Sequence, residues 1–166
     1  MSVAIDLAVE AEGWEAFPGL DGLIRRAVDA AVAGSGIALS QDAELSILLC
    51  DDATIRPLNR EWRGFDKATN VLSFPAFSPL PLATKPLLGD LAVALETVQR
   101  EAAQDGKTVP DHLTHLVVHG FLHLLGHDHE TAAEAEAMEA LETRILAGLG
   151  IADPYAETEP EEAVAG

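Results

Sequence analysis

All six histidines of the chain fall in one stretch, at His112, His115, His119, His123, His127 and His129. His119 and His123 are four residues apart, so on a helix their rings leave the same face and can converge on one ion. Gly126 stands where a left-handed helix end would carry no side-chain strain, and the reversal it allows could return His129 to the same point. Three imidazoles would leave the fourth position of a tetrahedral ion open, the arrangement of a catalytic zinc rather than a structural one. The competing reading is a set of core histidines satisfied by hydrogen bonds. His115, one turn before His119, is expected to back the ligands or pack. His127 is expected to point away if His129 points in, and His112 to be exposed.

The spacing follows the long zincin signature, H-E-x-x-H-x-x-G-x-x-H, with one change: Gly120 occupies the glutamate position. In those peptidases the glutamate takes a proton from the attacking water. Its absence leaves a metal motif without the usual proton shuttle for peptide hydrolysis.

The elements that must position these residues read clearly from periodicity. Val3, Ile5, Leu7 and Val9 alternate with polar or small residues, as in a half-buried strand, and Leu45, Ile47 and Leu49 do so again. A helix is expected over 21–33, ended by Gly34-Ser35-Gly36. Asp51-Asp52 opens a short helix from 53 to about 62, in which Pro57 is tolerable only near the first turn. A third strand over 70–74 runs into a proline-rich loop over 75–86, and Leu91, Val93 and Leu95 mark a fourth strand. A helix over 96–104 and a helix over 109–125, apolar almost all round, follow; the second should be the buried centre of the fold. Thr131 to Glu134 has capping-box spacing, and Met138, Leu141, Ile145 and Leu149 repeat at helical intervals behind it. The expectation is an α+β fold in the order β-α-β-α-β-β-α-α-α, with a small mixed four-stranded sheet and about five helices around a buried central one. Residues 1–150 should form a single metallohydrolase domain, and 151–166 an acidic, frayed tail.

At 166 residues and 48% hydrophobic content the chain can bury one sizeable core. Cys50 is the only cysteine, which rules out an internal disulfide and a multi-cysteine zinc cluster and fits a reducing compartment. No secretory signal and no membrane-length apolar run is seen, so the expected location is the cytoplasm. The formal charge of −18 opposes non-specific binding of nucleic acid. Against that field, Arg56, Arg60, Arg63 and Lys67 form a local basic strip interrupted only by Glu61 and Asp66.

Three ordered blocks carry a resemblance. The first is Leu58-Asn-Arg-Glu-Trp-Arg-Gly-Phe-Asp-Lys-Ala-Thr-Asn-Val-Leu-Ser-Phe-Pro75 and the second Leu88-Gly-Asp-Leu91. The third is His115-Leu-Val-Val-His-Gly-Phe-Leu-His-Leu-Leu-Gly-His-Asp-His129. Together they resemble the YbeY family of rRNA-maturation endoribonucleases. The resemblance implies a small α+β fold, one Zn2+ per chain held by His119, His123 and His129, and cleavage of single-stranded RNA in small-subunit rRNA maturation and ribosome quality control. It also places the family's functional arginine at Arg60. The partners implied are an rRNA precursor, the small ribosomal subunit and its associated proteins, with neither DNA nor a membrane among them. Two positions depart from the common pattern: His127 stands where a tyrosine is usual, and Asn70 where an aspartate often follows the threonine. The asparagine keeps the shape and loses only the charge, so this second change is expected to matter little.

Arg60 has a physical case of its own, because a guanidinium can pair with two non-bridging oxygens of a phosphate as they gain charge. The alternative is a solvated arginine on a helix face. Arg63 and Lys67 suit RNA positioning, and Trp62, Phe65 and Phe74 are the aromatics available for base stacking. Two further functions compete with the endoribonuclease: a metallohydrolase acting on peptide, and a non-catalytic ribosome-assembly factor whose zinc fixes the fold.

Overall fold

A computed structural model describes residues 3–76, 80–127 and 130–155 of the protein. Four strands form one mixed sheet in the order β1-β2-β4-β3: β1 is Ala4–Val9, β2 Glu44–Cys50, β3 Val71–Pro75 and β4 Leu87–Ala94. β1, β2 and β4 run parallel, and β3 lies antiparallel to β4 at one edge. The helices are α1 (Leu20–Ser35), α2 (Asp52–Arg63), α3 (Leu95–Asp105), α4 (Val109–Leu124) and α5 (Ala132–Gly148). This is the α+β order expected from the alternating and helical periods.

Alternation decides which side chain meets which layer. Leu45, Ile47, Leu49, Val71, Leu91 and Val93 face one way and join the main core with α1, α4 and α5. Cys50, Leu72, Ala92 and Ala94 face the other way and close on Ile55 of α2 in a smaller core. α4 is the centre of the larger layer. Its N-cap Thr108 accepts from the Asp111 amide, Pro110 sits in its first turn, and Leu113, Val117, Val118, Phe121 and Leu122 along it are wholly buried. Truncating such a residue to alanine typically costs about 2–5 kcal/mol, so α4 is anchored firmly.

Caps and ties fix the other helices. Asp51 accepts from the Thr54 amide at 2.8 Å to open α2, and Thr131 and Glu134 form the expected reciprocal capping box on α5. Asp52 holds the start of α2 against α3, accepting from Thr97 Oγ1 at 2.7 Å and from Arg100 at 3.1 Å. Pro57 falls in the second turn of α2, deeper than expected, on its exposed side.

Two features escape periodicity. A single 3₁₀ turn over Glu12–Ala16 buries Trp14 completely, with its indole N–H donating to the Cys50 carbonyl at 2.9 Å. β4 also begins at Leu87, earlier than its alternating core, through an irregularity opposite Glu44 and Leu45. Burial, and after it the charge of Asp51, pushes the Cys50 thiol up to about 12, so this cysteine is a packing residue. No helix among the described residues is long and apolar enough to cross a membrane.

Candidate metal centre

α4 presents His119 and His123 toward each other, ring centroids 4.6 Å apart and nearly perpendicular, with their Nε2 atoms separated by 3.1 Å. The other nitrogen of each ring meets an acceptor. His119 Nδ1 lies 3.2 Å from both carboxylate oxygens of Glu142, and His123 Nδ1 lies 2.9 Å from the carbonyl of His127. Carboxylates and carbonyls only accept, so each Nδ1 is the donor. A neutral imidazole protonated at Nδ1 carries a lone pair at Nε2. The two Nε2 atoms therefore bring lone pairs together, an arrangement that a shared cation relieves. Two nitrogens on a tetrahedral zinc at about 2.0–2.1 Å would sit roughly 3.3 Å apart, so the spacing fits the ion.

Behind the ligands lies a network that composition alone does not reveal. Glu142 of α5 has no exposed surface, yet accepts from His115 Nε2 at 2.9 Å and from the Tyr155 hydroxyl at 2.9 Å as well as from His119. Burial pushes its carboxyl up, but the hydrogen bonds from His115 and His119 prevail and hold it down to about 2. Burial likewise depresses the basicity of His115 against the pull of Glu142 and, with Glu142's charge, raises the Tyr155 hydroxyl. His115, His119 and Glu142 bring three ligand atoms within 4.8 Å of one another, so this group could itself hold a metal ion. Three donors already bond Glu142, however, all of them reaching Oε1, which suits the carboxylate to orienting His119 rather than coordinating.

The remaining histidines divide. His129 lies outside the described residues, so its approach is not part of this geometry; Gly126, with φ 99°, supplies the left-handed turn expected before it. His115 backs the site as expected. His127 gives its carbonyl to His123. His112 corrects the expectation of exposure: it is only 5% exposed and its Nε2 lies 2.8 Å from Glu101, because α4 is buried on that side by α3. Asn70 corrects a second expectation. Its Nδ2 donates to Glu101 at 3.0 Å, a bond that an ionised aspartate could not make.

Gly120 has a packing cause. A Cβ there would meet Leu91 Cδ2 at 2.9 Å and Ser73 Oγ and Val71 Cγ2 at 3.2 Å, so α4 touches the sheet at this glycine. Ser73 Oγ donates to the Gly120 carbonyl at 3.1 Å across the same contact.

A cleft of about 1140 Å³ opens in front of His119 and His123, walled by β3 residues, by Asp90, and by Leu58, Trp62 and Arg63 of α2. Arg60 lies on the exposed side of α2 and is not among the residues lining this cleft; its Nη1 stands 3.9 Å from Asp66. Arg56 binds the same carboxylate more closely, at 2.9 Å, and that hydrogen bond lowers the Asp66 pKa.

Glu142 and Tyr155 are the site residues that sequence reasoning missed. A signal existed, since Glu142 interrupts the apolar stripe of Met138, Leu141 and Ile145 one turn after Met138. Residues 151–155, the start of the tail expected over 151–166, pass back over α4, with Pro154 buried, and deliver Tyr155; residues 156–166 lie outside the described residues.

A family model described as Endoribonuclease YbeY matches residues 16–150. A protein of Methylocella silvestris named Endoribonuclease YbeY is 54% identical over 157 residues, covering 95% of this chain and 88% of the relative. One of Allorhizobium ampelinum with the same name is 52% identical over 162 residues, covering 94% and 96%. The solution structure of a Thermotoga maritima protein superposes with a TM-score of 0.54 at 22% identity, covering 96% of this chain and 99% of that one, a likeness of fold. The match takes in both the histidine helix α4 and the carboxylate behind it on α5, and on these grounds the chain belongs to the YbeY endoribonuclease family.

Proposed function

We propose that the protein is a zinc-dependent, single-strand-specific endoribonuclease that acts in the cytoplasm on precursors of small-subunit rRNA and in ribosome quality control. One zinc per chain is held by His119, His123 and His129. The observation that carries this reading is the pair of facing Nε2 atoms, 3.1 Å apart, each with its Nδ1 committed to an acceptor. Family membership supports the reaction, since the relatives bear the name endoribonuclease.

A zinc ion at this position supplies Lewis acidity toward a phosphodiester. The protein's own residues do the rest. Glu142 and the His127 carbonyl fix both imidazoles in the ligating tautomer. The cleft admits a strand along β3 to the face of His119 and His123. Arg60, outside the lining of the cleft, would swing in from its weak, exposed contact with Asp66 to meet the non-bridging oxygens as charge develops on them. With Gly120 the zincin glutamate position has no carboxylate to protonate a departing amine, which disfavours peptides more than RNA, whose ribose oxygen departs more readily. The charge of −18 suits an enzyme brought to its RNA by the ribosomal particle and its proteins instead of by its own field.

Incubation of zinc-loaded protein with RNA and with casein, followed by analysis of product ends, tests the reading. RNA should be cut and casein left intact, and neither should be cut by His123→Ala. Zinc-dependent proteolysis would favour the peptidase. No zinc-dependent cleavage of free RNA or of ribosomal particles would favour the assembly-factor reading.

A further inference from the structure

Trp62 is the most exposed of the large hydrophobic residues described, at 62%, and Phe65 is exposed at 49%, as are Val9 and Leu80. Scattered single apolar residues on a surface need no explanation. Trp62 and Phe65 are not scattered. Trp62 lines the cleft in front of His119 and His123, and its ring meets Phe74 of β3 edge-to-face at a centroid distance of 5.5 Å. That contact braces the indole without covering it. Phe65, three residues further on, has the Arg63 guanidinium 5.1 Å from its centroid and the Lys67 ammonium 5.7 Å away. Arg63 also lines the cleft. In a chain of charge −18, two exposed aromatics three residues apart, one braced by Phe74 and the other flanked by two cations, are a local exception.

A platform of this kind suits one ligand chemistry. Every nucleobase has a flat π-face, and a base in a single strand has that face available, whereas a base in a duplex is already stacked on both sides. Arg63 and Lys67, held on either side of Phe65, are cations of the kind that meet backbone phosphates while an aromatic face takes the base. A purely apolar partner surface would gain nothing from Arg63 and Lys67.

We propose that Trp62, braced by Phe74, is the stacking platform for one unpaired nucleobase, and that Arg63 and Lys67 around Phe65 receive the adjoining phosphates. The platform rests on the endoribonuclease reading and adds to it a physical origin for single-strand preference: the enzyme grips a base that only an unpaired strand can offer. Trp62 is a positioning residue and takes no part in the chemistry.

The test uses the full-length, zinc-loaded protein and a 2′-O-methyl RNA decamer, which binds without being cleaved by 2′-hydroxyl attack. The chain has two tryptophans, and Trp14 is wholly buried, so a fluorescence change on binding reports Trp62. Single-stranded decamer should quench the emission, and its duplex should not. Trp62→Ala should weaken binding about tenfold, within the roughly five- to hundredfold that loss of one stacked base brings, and Trp62→Phe should restore most of it. With cleavable RNA, Trp62→Ala should raise KM and leave the rate at saturation nearly intact, at unchanged zinc content and Tm. Wild-type cleavage of RNA combined with equal binding by Trp62→Ala and no quenching would remove the platform and leave the endoribonuclease standing. Normal action of Trp62→Ala on free RNA with loss only on ribosomal particles would mean that Trp62 docks a protein surface, which also overturns the proposal. A wild type that neither binds nor cuts single-stranded RNA would bring down the endoribonuclease reading and the platform together.

Discussion

Glu142 on α5 and His119 on α4 are joined by a forked contact, with His119 Nδ1 3.2 Å from each carboxylate oxygen. The fork does two things at once. It sets the ring's tautomer and it places a negative charge behind the nitrogen that would face the metal. Glu142→Gln keeps the volume and removes the charge, so zinc should bind about 10- to 100-fold more weakly. Competition with a chromophoric chelator would measure this. An unchanged affinity would show that the carboxylate only packs.

The histidines themselves should separate by role. His119→Ala, His123→Ala and His129→Ala should each lose the ion, while His112→Ala should keep it and lose stability, because its ring is buried against Glu101. Elemental analysis with thermal melts distinguishes the two outcomes. Protons compete with the metal for imidazole, so the ion should leave as the solution is acidified into and below the ordinary histidine range. Equal metal loss from His112→Ala and His123→Ala would contradict the assignment.

Arg60→Ala should retain zinc and fold yet cleave RNA about a hundred- to a thousandfold more slowly at saturation, the usual cost of losing a donor to developing charge. Arg60→Lys should recover only part, since an ammonium lacks the flat two-pronged geometry. Single-turnover cleavage at two salt concentrations separates this from a positioning role, which would weaken binding at high salt and spare the saturated rate. A wild-type rate in Arg60→Ala would place the residue outside the chemistry.

Asn70→Asp makes a pH-dependent prediction. Where Asn70 now donates to Glu101, the variant would set a second carboxylate. The variant should lose on the order of 1–3 kcal/mol of stability at neutral pH. Mutual repulsion raises the folded-state pKa of the pair, so the deficit against wild type should be largest above that pKa and shrink as pH falls and a proton bridges the two. In the wild type burial works to raise the Glu101 pKa, but hydrogen bonds from His112 and Asn70 lower it on balance. The wild type's own contribution from Glu101 is therefore lost as pH falls below the ordinary carboxylate range. Urea titrations of both proteins at several pH values measure the gap; a gap independent of pH would sink the argument.

Much of this architecture was legible because it rests on local periods. Alternation at 3–9 and 45–49, the all-round apolar character of 109–125 and the Thr131–Glu134 box each act within a few residues, and each appears where expected. What was not legible depends on registers between elements. Glu142 reaches His119 only because α5 packs across α4 at one rotation, and His112 is buried only because α3 covers that side. The Trp14 turn is too short to carry a period. Asn70 looked interchangeable with aspartate because its partner, Glu101, is distant in sequence and close in space.

Gly120 bears on how such a site can change over generations. Glycine and glutamate codons can differ by a single base, so the substitution that would complete the peptidase motif arises at ordinary mutational frequency. Yet a side chain there would press on the side chains of Leu91, Ser73 and Val71, which must shift if α4 is to keep His119 and His123 in place. The barrier between the two chemistries is thus steric and lies in the side chains that β3 and β4 present to α4. Smaller residues at 71 or 91 would open that space before the carboxylate is inherited.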